Sequence, residues 1–238
     1  MKTIAAFIIA FMSVLSLHAQ KSYLGFSMGG SLPGGAYRKK GLGKGGYAGS
    51  GFALAFDGNC FFGKIGLTAS ASYGMNYLDD QSLKNDMLDH IGDLFPENPW
   101  SPDAMIEFTS TQWTYVNFMT GPVLSVSLSV FSFEFRALGG MSFVMPPKRE
   151  LFISSSDEQW YGNASGQSVR LGYQIGGGVL FHPSSEYGIR LGVDYLQTRT
   201  RYDVHYSYQD TITDKTFLEQ ADFPVSLIHA SFGILYYF

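Results

Sequence analysis

The chain has 238 residues, with 16 basic and 20 acidic side chains and a formal charge of −4. It therefore lacks the basic surface that nucleic acid demands. Charged residues make up 15% of it and aromatics 16%, beside 28 glycines, whereas ordinary soluble domains carry ~25% charge. Cys60 is the sole cysteine, which excludes an intrachain disulfide and a cysteine-based zinc cluster; no cofactor is expected.

Residues 1–20 read as a cleaved signal peptide. Met1-Lys2 is a short positive start, Ile4 to Leu17 is apolar, and Leu17-His18-Ala19-Gln20 is a small-residue exit. The apolar run is shorter than the ~20 residues a membrane-spanning helix needs. Residues 21–238 are then one large β domain. Their apolar residues are dispersed as strands require, and no second stretch reaches helix-spanning length.

Side chains alternate faces in a strand, and eight segments alternate apolar with small or polar residues. The first sets Leu24, Phe26 and Met28 against Gly25, Ser27 and Gly29. The second sets Phe52, Leu54 and Phe56 against Ala53, Ala55 and Asp57, and the third Ile65, Leu67 and Tyr73 against Lys64, Thr68 and Ser72. The fourth, Thr111 to Ser127, sets Val116, Phe118 and Leu124 against Asn117 and Ser125, with a bulge or irregularity expected at Pro122. The fifth is the clearest, with Phe131, Phe133, Phe135, Met141 and Phe143 alternating with Ser132, Glu134, Arg136 and Ser142. The sixth opposes Val169, Leu171, Tyr173 and Ile175 to Ser168, Arg170 and Gln174. The seventh opposes Ile189, Leu191 and Val193 to Arg190 and Asp194, and the eighth Ile228, Ala230 and Phe232 to His229, Ser231 and Tyr237.

Short links fall at Asp57-Gly58-Asn59, near Ser129 and at His182–Tyr187; the other links are long and polar. Short turns on one side, long loops on the other and an even strand number predict an eight-stranded antiparallel up-and-down transmembrane β-barrel. A lipocalin would need its apolar face inside.

The last strand places Ala230, Phe232, Ile234, Tyr236 and the terminal Phe238 at alternate positions. This pattern resembles the C-terminal insertion signal of bacterial barrels. The whole mature chain resembles the OmpA/OmpX-like small outer-membrane β-barrel families, which include the secretion-associated PorT group. The resemblance implies a bacterial outer-membrane location and passage through the barrel-assembly machinery. Its partners would be outer-membrane lipid and lipopolysaccharide, with both termini periplasmic. The families include adhesins, structural barrels and secretion subunits, so activity does not follow from it.

Lys64, Glu134, Arg136, Arg170, Arg190 and Asp194 are assigned to the lumen, with Asp57 near its periplasmic end. An eight-stranded interior barely holds its side chains, so a paired network is expected rather than the lining of a narrow solute channel. His229-Ala230-Ser231 resembles part of the lipid A deacylase motif. However, Phe232 follows the serine, and alternation turns His229 and Ser231 inward. Asp79-Asp80 and Asp203 with His205 offer protease-like residue types without a geometry.

In the long loop Gly74–Ser110, Leu83, Met87, Leu88, Ile91, Leu94 and Phe95 mark one apolar face of a short helix. Asp80 or Ser82 would cap it, and Pro96, Pro99 and Pro102 would end it around Trp100. The helix is either a lid on the barrel mouth or, with Trp160 and Tyr161, a surface for an envelope partner. The glycine-rich first loop carries Arg38, Lys39, Lys40 and Lys44, which suit lipopolysaccharide phosphates better than a nucleotide. Tyr23, Phe61, Phe62, Trp113, Tyr195 and Tyr237 are expected in interfacial girdles. The leading functional expectation is a non-enzymatic barrel whose outside loops bind a partner or which serves an envelope or secretion complex. A narrow porin-like channel and a lipid-modifying or proteolytic barrel are the alternatives.

Overall fold

The computed structural model describes residues 22–42, 44–94, 105–154, 158–210 and 214–238. The signal peptide, Phe95 and Trp100 lie outside the described residues. The elements are β1 (Tyr23–Gly34), α1 (Gly35–Arg38), β2 (Ala48–Phe62), β3 (Ile65–Leu78), α2 (Asp80–Leu94), β4 (Met105–Ser110), β5 (Trp113–Leu128), β6 (Phe131–Met145), β7 (Arg149–Ser154), β8 (Glu158–Ser165), β9 (Ser168–Phe181), β10 (Tyr187–Asp210) and β11 (Asp214–Tyr237).

Eight strands close a ring in the order β1-β2-β3-β5-β6-β9-β10-β11, all antiparallel, with β11 returning to β1 through Tyr23↔Tyr237 to Gly34↔Ser226. The chain is an eight-stranded up-and-down β-barrel. Every edge at membrane height is thereby paired, the condition for strands to cross hydrocarbon.

The faces sort as the alternation requires. Leu24, Phe26, Met28, Phe133, Phe135, Leu191, Phe232, Ile234 and Tyr236 are exposed on the outside, while Ser27, Asp57, Ser70, Asn117, Glu134, Ser142 and Gln174 are buried inside. On β1 the outward apolar run from Leu24 to Leu32 has the ~9–11 residue length of a tilted membrane strand. An apolar belt around a polar interior is stable in lipid and unfavourable in water.

The three strands outside the ring prolong ring strands. Ser110↔Arg149 keeps the pairing frame of Thr114↔Met145, so β4 and β7 continue β5 and β6 upward. Pro146 and Pro147, which lack N–H donors, mark the break between β6 and β7. β8 continues β9 across Gly166-Gln167, with a two-residue slip against β10 between Gln197↔Tyr173 and Asp203↔Ser165. With β10 and β11, each 24 residues long, these strands raise one side of the barrel into a wall beyond the belt. β1, β2 and β3 stop at the rim.

Several expectations are corrected. Asp57-Gly58-Asn59 is not a turn: it runs inside β2, paired through Gly58↔Ala69, and the reversal falls at Gly63-Lys64, where Gly63 has φ 74°. The turn propensity of those residues yields to burial, since Asp57 and Asn59 point into the lumen. At Pro122 the strand keeps one register: Leu67↔Pro122 is paired, and bridging to β6 skips only Gly121 and Pro122. The register shift lies instead between Ala48 and Gly51. Of the expected girdle, Phe62 and Tyr195 are exposed, but Tyr23, Phe61, Trp113 and Tyr237 are buried. Each of the four shares strand parity with inward residues, and period-2 geometry overrides the girdle assignment.

Candidate functional site

The lumen is built in layers. At the turn end, Tyr23, Phe61, Val123, Leu180, Leu235 and Tyr237 form a small apolar cluster. Above it lies an ion layer. Arg136 donates from Nε and Nη2 to the two carboxylate oxygens of Asp194 at 2.8 and 2.7 Å, and its Nη1 lies 3.1 Å from Asp57. Arg190 sits 3.8 Å from Asp194 and 4.0 Å from Glu134, whose Oε2 accepts from the Tyr23 hydroxyl at 2.7 Å. All five charged groups are almost fully buried. β2, β6 and β10 deliver them at inward positions, with Glu134 across from Gly178 of β9 and Arg136 and Asp194 both across from Gly176. A Cβ at Gly176 would overlap the Asp194 carboxylate, and one at Gly192 would come within 2.7 Å of Arg190. Glycine is what leaves room for the ions.

Lys64 and Arg170 stand apart from this layer. Lys64 is exposed in the turn after β2, its carbonyl accepting from Ser125 N–H at 2.7 Å. Arg170 is exposed near the loop end of β9, above the last β9–β10 pair at Tyr173↔Gln197. Alternation gave their parity. It could not show that the wall ends or parts there.

Farther up, Asn117 donates to Ser72 at 3.0 Å and accepts from Ser142 at 2.7 Å. His229 Nε2 lies 2.8 Å from the Tyr115 hydroxyl, and the two rings are stacked at 5.7 Å. Tyr115 also donates to Ser31, which donates to Asn76 at 3.0 Å. His229 thus faces the interior, away from lipid, within a chain of neutral hydrogen bonds. The void between Ser27, Ser72, Arg136, Asp194 and His229 is only about 20 Å³, close to the space of one water.

Outside the membrane belt, the concave side of the wall holds an apolar core. Leu151 and Ile153 of β7, Ala164 of β8, Tyr202 and Val204 of β10, and Ala221, Phe223 and Val225 of β11 pack with Tyr37, Tyr47, Leu83, Met87 and Trp113. Trp113 donates Nε1–H to the Gly46 carbonyl at 2.8 Å and meets Tyr37 edge-on at 5.0 Å. Tyr37 is fully buried, and that burial raises its hydroxyl pKa well above the usual value. The Tyr47 pKa is raised by burial and by its hydrogen bond to Asp86.

α2 forms where the apolar spacing predicts, but Asp79 is its cap: Asp79 Oδ1 accepts from Ser82 N–H at 3.2 Å. Lys40 Nζ lies 3.0 Å from Asp79 and donates to Ser82 at 2.6 Å, tying the first loop to the helix. Hydrogen bonding to Lys40, and then to Ser82, lowers the Asp79 pKa. The first loop is itself folded, with Gly46 N–H on the Ala36 carbonyl and Tyr47 N–H on that of Lys39.

Leu83 and Met87 are 0% and 2% exposed, so they are covered core and not an interaction surface. A marginal helix is held by burying its apolar stripe, which leaves those side chains no free area. Ile91 lies on α2 and Trp160 on β8, while Tyr161 is 40% exposed on the outer face of the wall. Reading the sequence missed that outer face. Exposed Met105, Glu107, Tyr161, His205 and Leu218 stand on it. The protease-like pairs are engaged structurally: Asp79 caps, Asp80 accepts from Ser110 at 2.5 Å, and Asp203 accepts from Gln220 at 2.9 Å.

No family model matches the chain, and no curated protein matches it. Among solved structures, neisserial surface protein A (NspA) is 10% identical with a TM-score of 0.39, covering 91% of this chain and 97% of that one. Ail, the attachment invasion locus protein of Yersinia pestis, is 14% identical with a TM-score of 0.40, covering 92% and 100%. The N-terminal β-barrel domain of Pseudomonas aeruginosa OprF is 9% identical with a TM-score of 0.37, covering 92% and 100%. Likeness at this level carries no role across, and the barrel rests on its own strand pairings.

Proposed function

We propose that the chain is a non-enzymatic barrel of the bacterial outer membrane, closed to solutes, whose raised wall docks an envelope or surface partner. The observation that carries this reading is the wall itself. Five strand paths continue beyond the belt on one side, and their concave face is already filled by α1, α2 and the rim aromatics. What the wall offers is its outer face, with Tyr161 and Leu218 40% and 64% exposed beside His205 and Glu107. Exposed aromatic and apolar side chains on a rigid scaffold favour contact over catalysis. Exposed Arg38 and Lys39 beside the rim suit anionic lipopolysaccharide phosphates.

Photo-crosslinking in native membranes tests the reading, with the probe at position 161 or 218 and a control probe at lipid-facing position 133. One stoichiometric envelope component is expected from the wall positions only, lost with Leu218→Asp. Identical products from wall and control positions would refute it, as would stable single-channel openings from the pure protein.

A further inference from the structure

Below the ion layer, the turn end of the barrel holds a cavity of about 320 Å³. It is lined by Tyr23, Phe61, Leu180 and Tyr237, by Ser125, Ser127 and Ser132, by Glu134 as its acidic wall group, and by Lys64 and His182 at the turn end. This is the lower limit of the size range of small-molecule sites.

Two polar atoms on this wall lack partners. Glu134 is 2% exposed, and its Oε1 has no hydrogen-bond partner; the Tyr237 hydroxyl, on a residue 9% exposed, has none either. The nearby buried charges do not balance. Asp57, Glu134 and Asp194 face Arg136 and Arg190, which leaves one carboxylate over. Arg136 is committed to Asp57 and Asp194, while Arg190, whose guanidinium nitrogens make no hydrogen bond, lies 3.8 Å from Asp194 and 4.0 Å from Glu134. A buried layer with one carboxylate in excess is costly, and at Glu134, with one oxygen unbonded and its cation 4.0 Å away, a guest of opposite charge relieves that cost.

The remaining wall says what kind of guest. Tyr23 lies 6.2 Å from Phe61 and 5.6 Å from Tyr237, ring centre to ring centre. Grouped aromatic faces attract cations, most strongly when water is excluded. An anion would meet the Glu134 carboxylate. His182 has its Nε2 2.8 Å from Ser132 Oγ, and the exposed Lys64 stands at the mouth.

We propose that the turn-end cavity binds a small organic cation, a substituted ammonium group seated among Tyr23, Phe61 and Tyr237 with Glu134 as its counter-ion. Lys64 carries the same charge at the entrance and competes with the guest.

The test uses the full barrel in detergent micelles, with folding checked by heat-modifiable electrophoresis. Tetramethylammonium chloride is the probe, and tert-butanol at constant ionic strength is the neutral control of similar shape. Ligand-observed saturation-transfer NMR and calorimetry read binding. Saturable binding of tetramethylammonium alone is expected, about tenfold weaker in Glu134→Gln and weaker in Phe61→Leu. Lys64→Met is expected to tighten it. Equal binding of both probes, no saturable binding by the wild type, or unchanged affinity in Glu134→Gln would overturn the proposal. Should Glu134→Gln not fold, Phe61→Leu and Tyr237→Phe decide, because they leave the ion layer in place. Unchanged affinity in both refutes it.

Discussion

Arg136 and Asp194 meet inside the lumen through two parallel hydrogen bonds of 2.8 and 2.7 Å, from strands that only β9 separates in the ring. The pair bridges over Gly176 of the intervening β9, tying β6 to β10 at the height where the interior narrows to a void of about 20 Å³. Charge-assisted, bidentate pairs are the strong class. Once buried, they cannot lose one partner without stranding the other.

Removing Asp194 should therefore cost more than a surface charge. Asp194→Ala is expected to lower unfolding stability by about 3–5 kcal/mol, measured by urea titration in lipid vesicles. Asp222→Ala, on the exposed Arg199 pair at 3.0 Å, should change stability by less than ~1 kcal/mol. Equal losses would deny the lumen pair its bracing role.

The glycines around the ions supply a second test. A side chain at Gly176 overlaps Asp194, whereas one at Gly139 meets nothing within 4 Å. Gly176→Ala should destabilise by about 1–3 kcal/mol through overpacking, and Gly139→Ala should be near neutral in the same titration.

With the lumen filled, purified protein in planar bilayers should show negligible conductance. Large, stable openings would mean that the ion layer rearranges in the membrane.

α2 should detach before the barrel melts. Leu83→Ala empties a fully buried position and is expected to cost about 2–5 kcal/mol. The readout is faster proteolysis within 79–94 while the heat-resistant barrel band persists.

Acid should loosen the same element. The Asp79 pKa is lowered below the ordinary 3.8 by hydrogen bonding to Lys40 and Ser82. A depressed carboxylate contributes stability that is full above its unfolded value and lost as pH falls through its folded value. Protection of α2 should hold above pH ~4 and fall below it. Asp79→Asn should show weaker protection at neutral pH and a flatter acid response.

Alternation along the chain is enough to specify the barrel. A strand's side chains have two faces, and rows such as Phe131, Phe133 and Phe135 against Ser132, Glu134 and Arg136 leave one arrangement that satisfies both lipid and lumen. The same rule carries Glu134, Arg136, Arg190 and Asp194 inward. Parity says which face a residue shares, not where a strand ends, and it therefore groups the exposed Lys64 and Arg170 with them. The assembled fold is what keeps Asp57-Gly58-Asn59 extended, because the Arg136 that holds Asp57 lies 79 positions away. It alone raised the wall. β4, β7 and β8 are short, broken pieces whose strand character comes from ladders on one another and, through β8, on the long β10, and such pairing energy is invisible to any local window of residues.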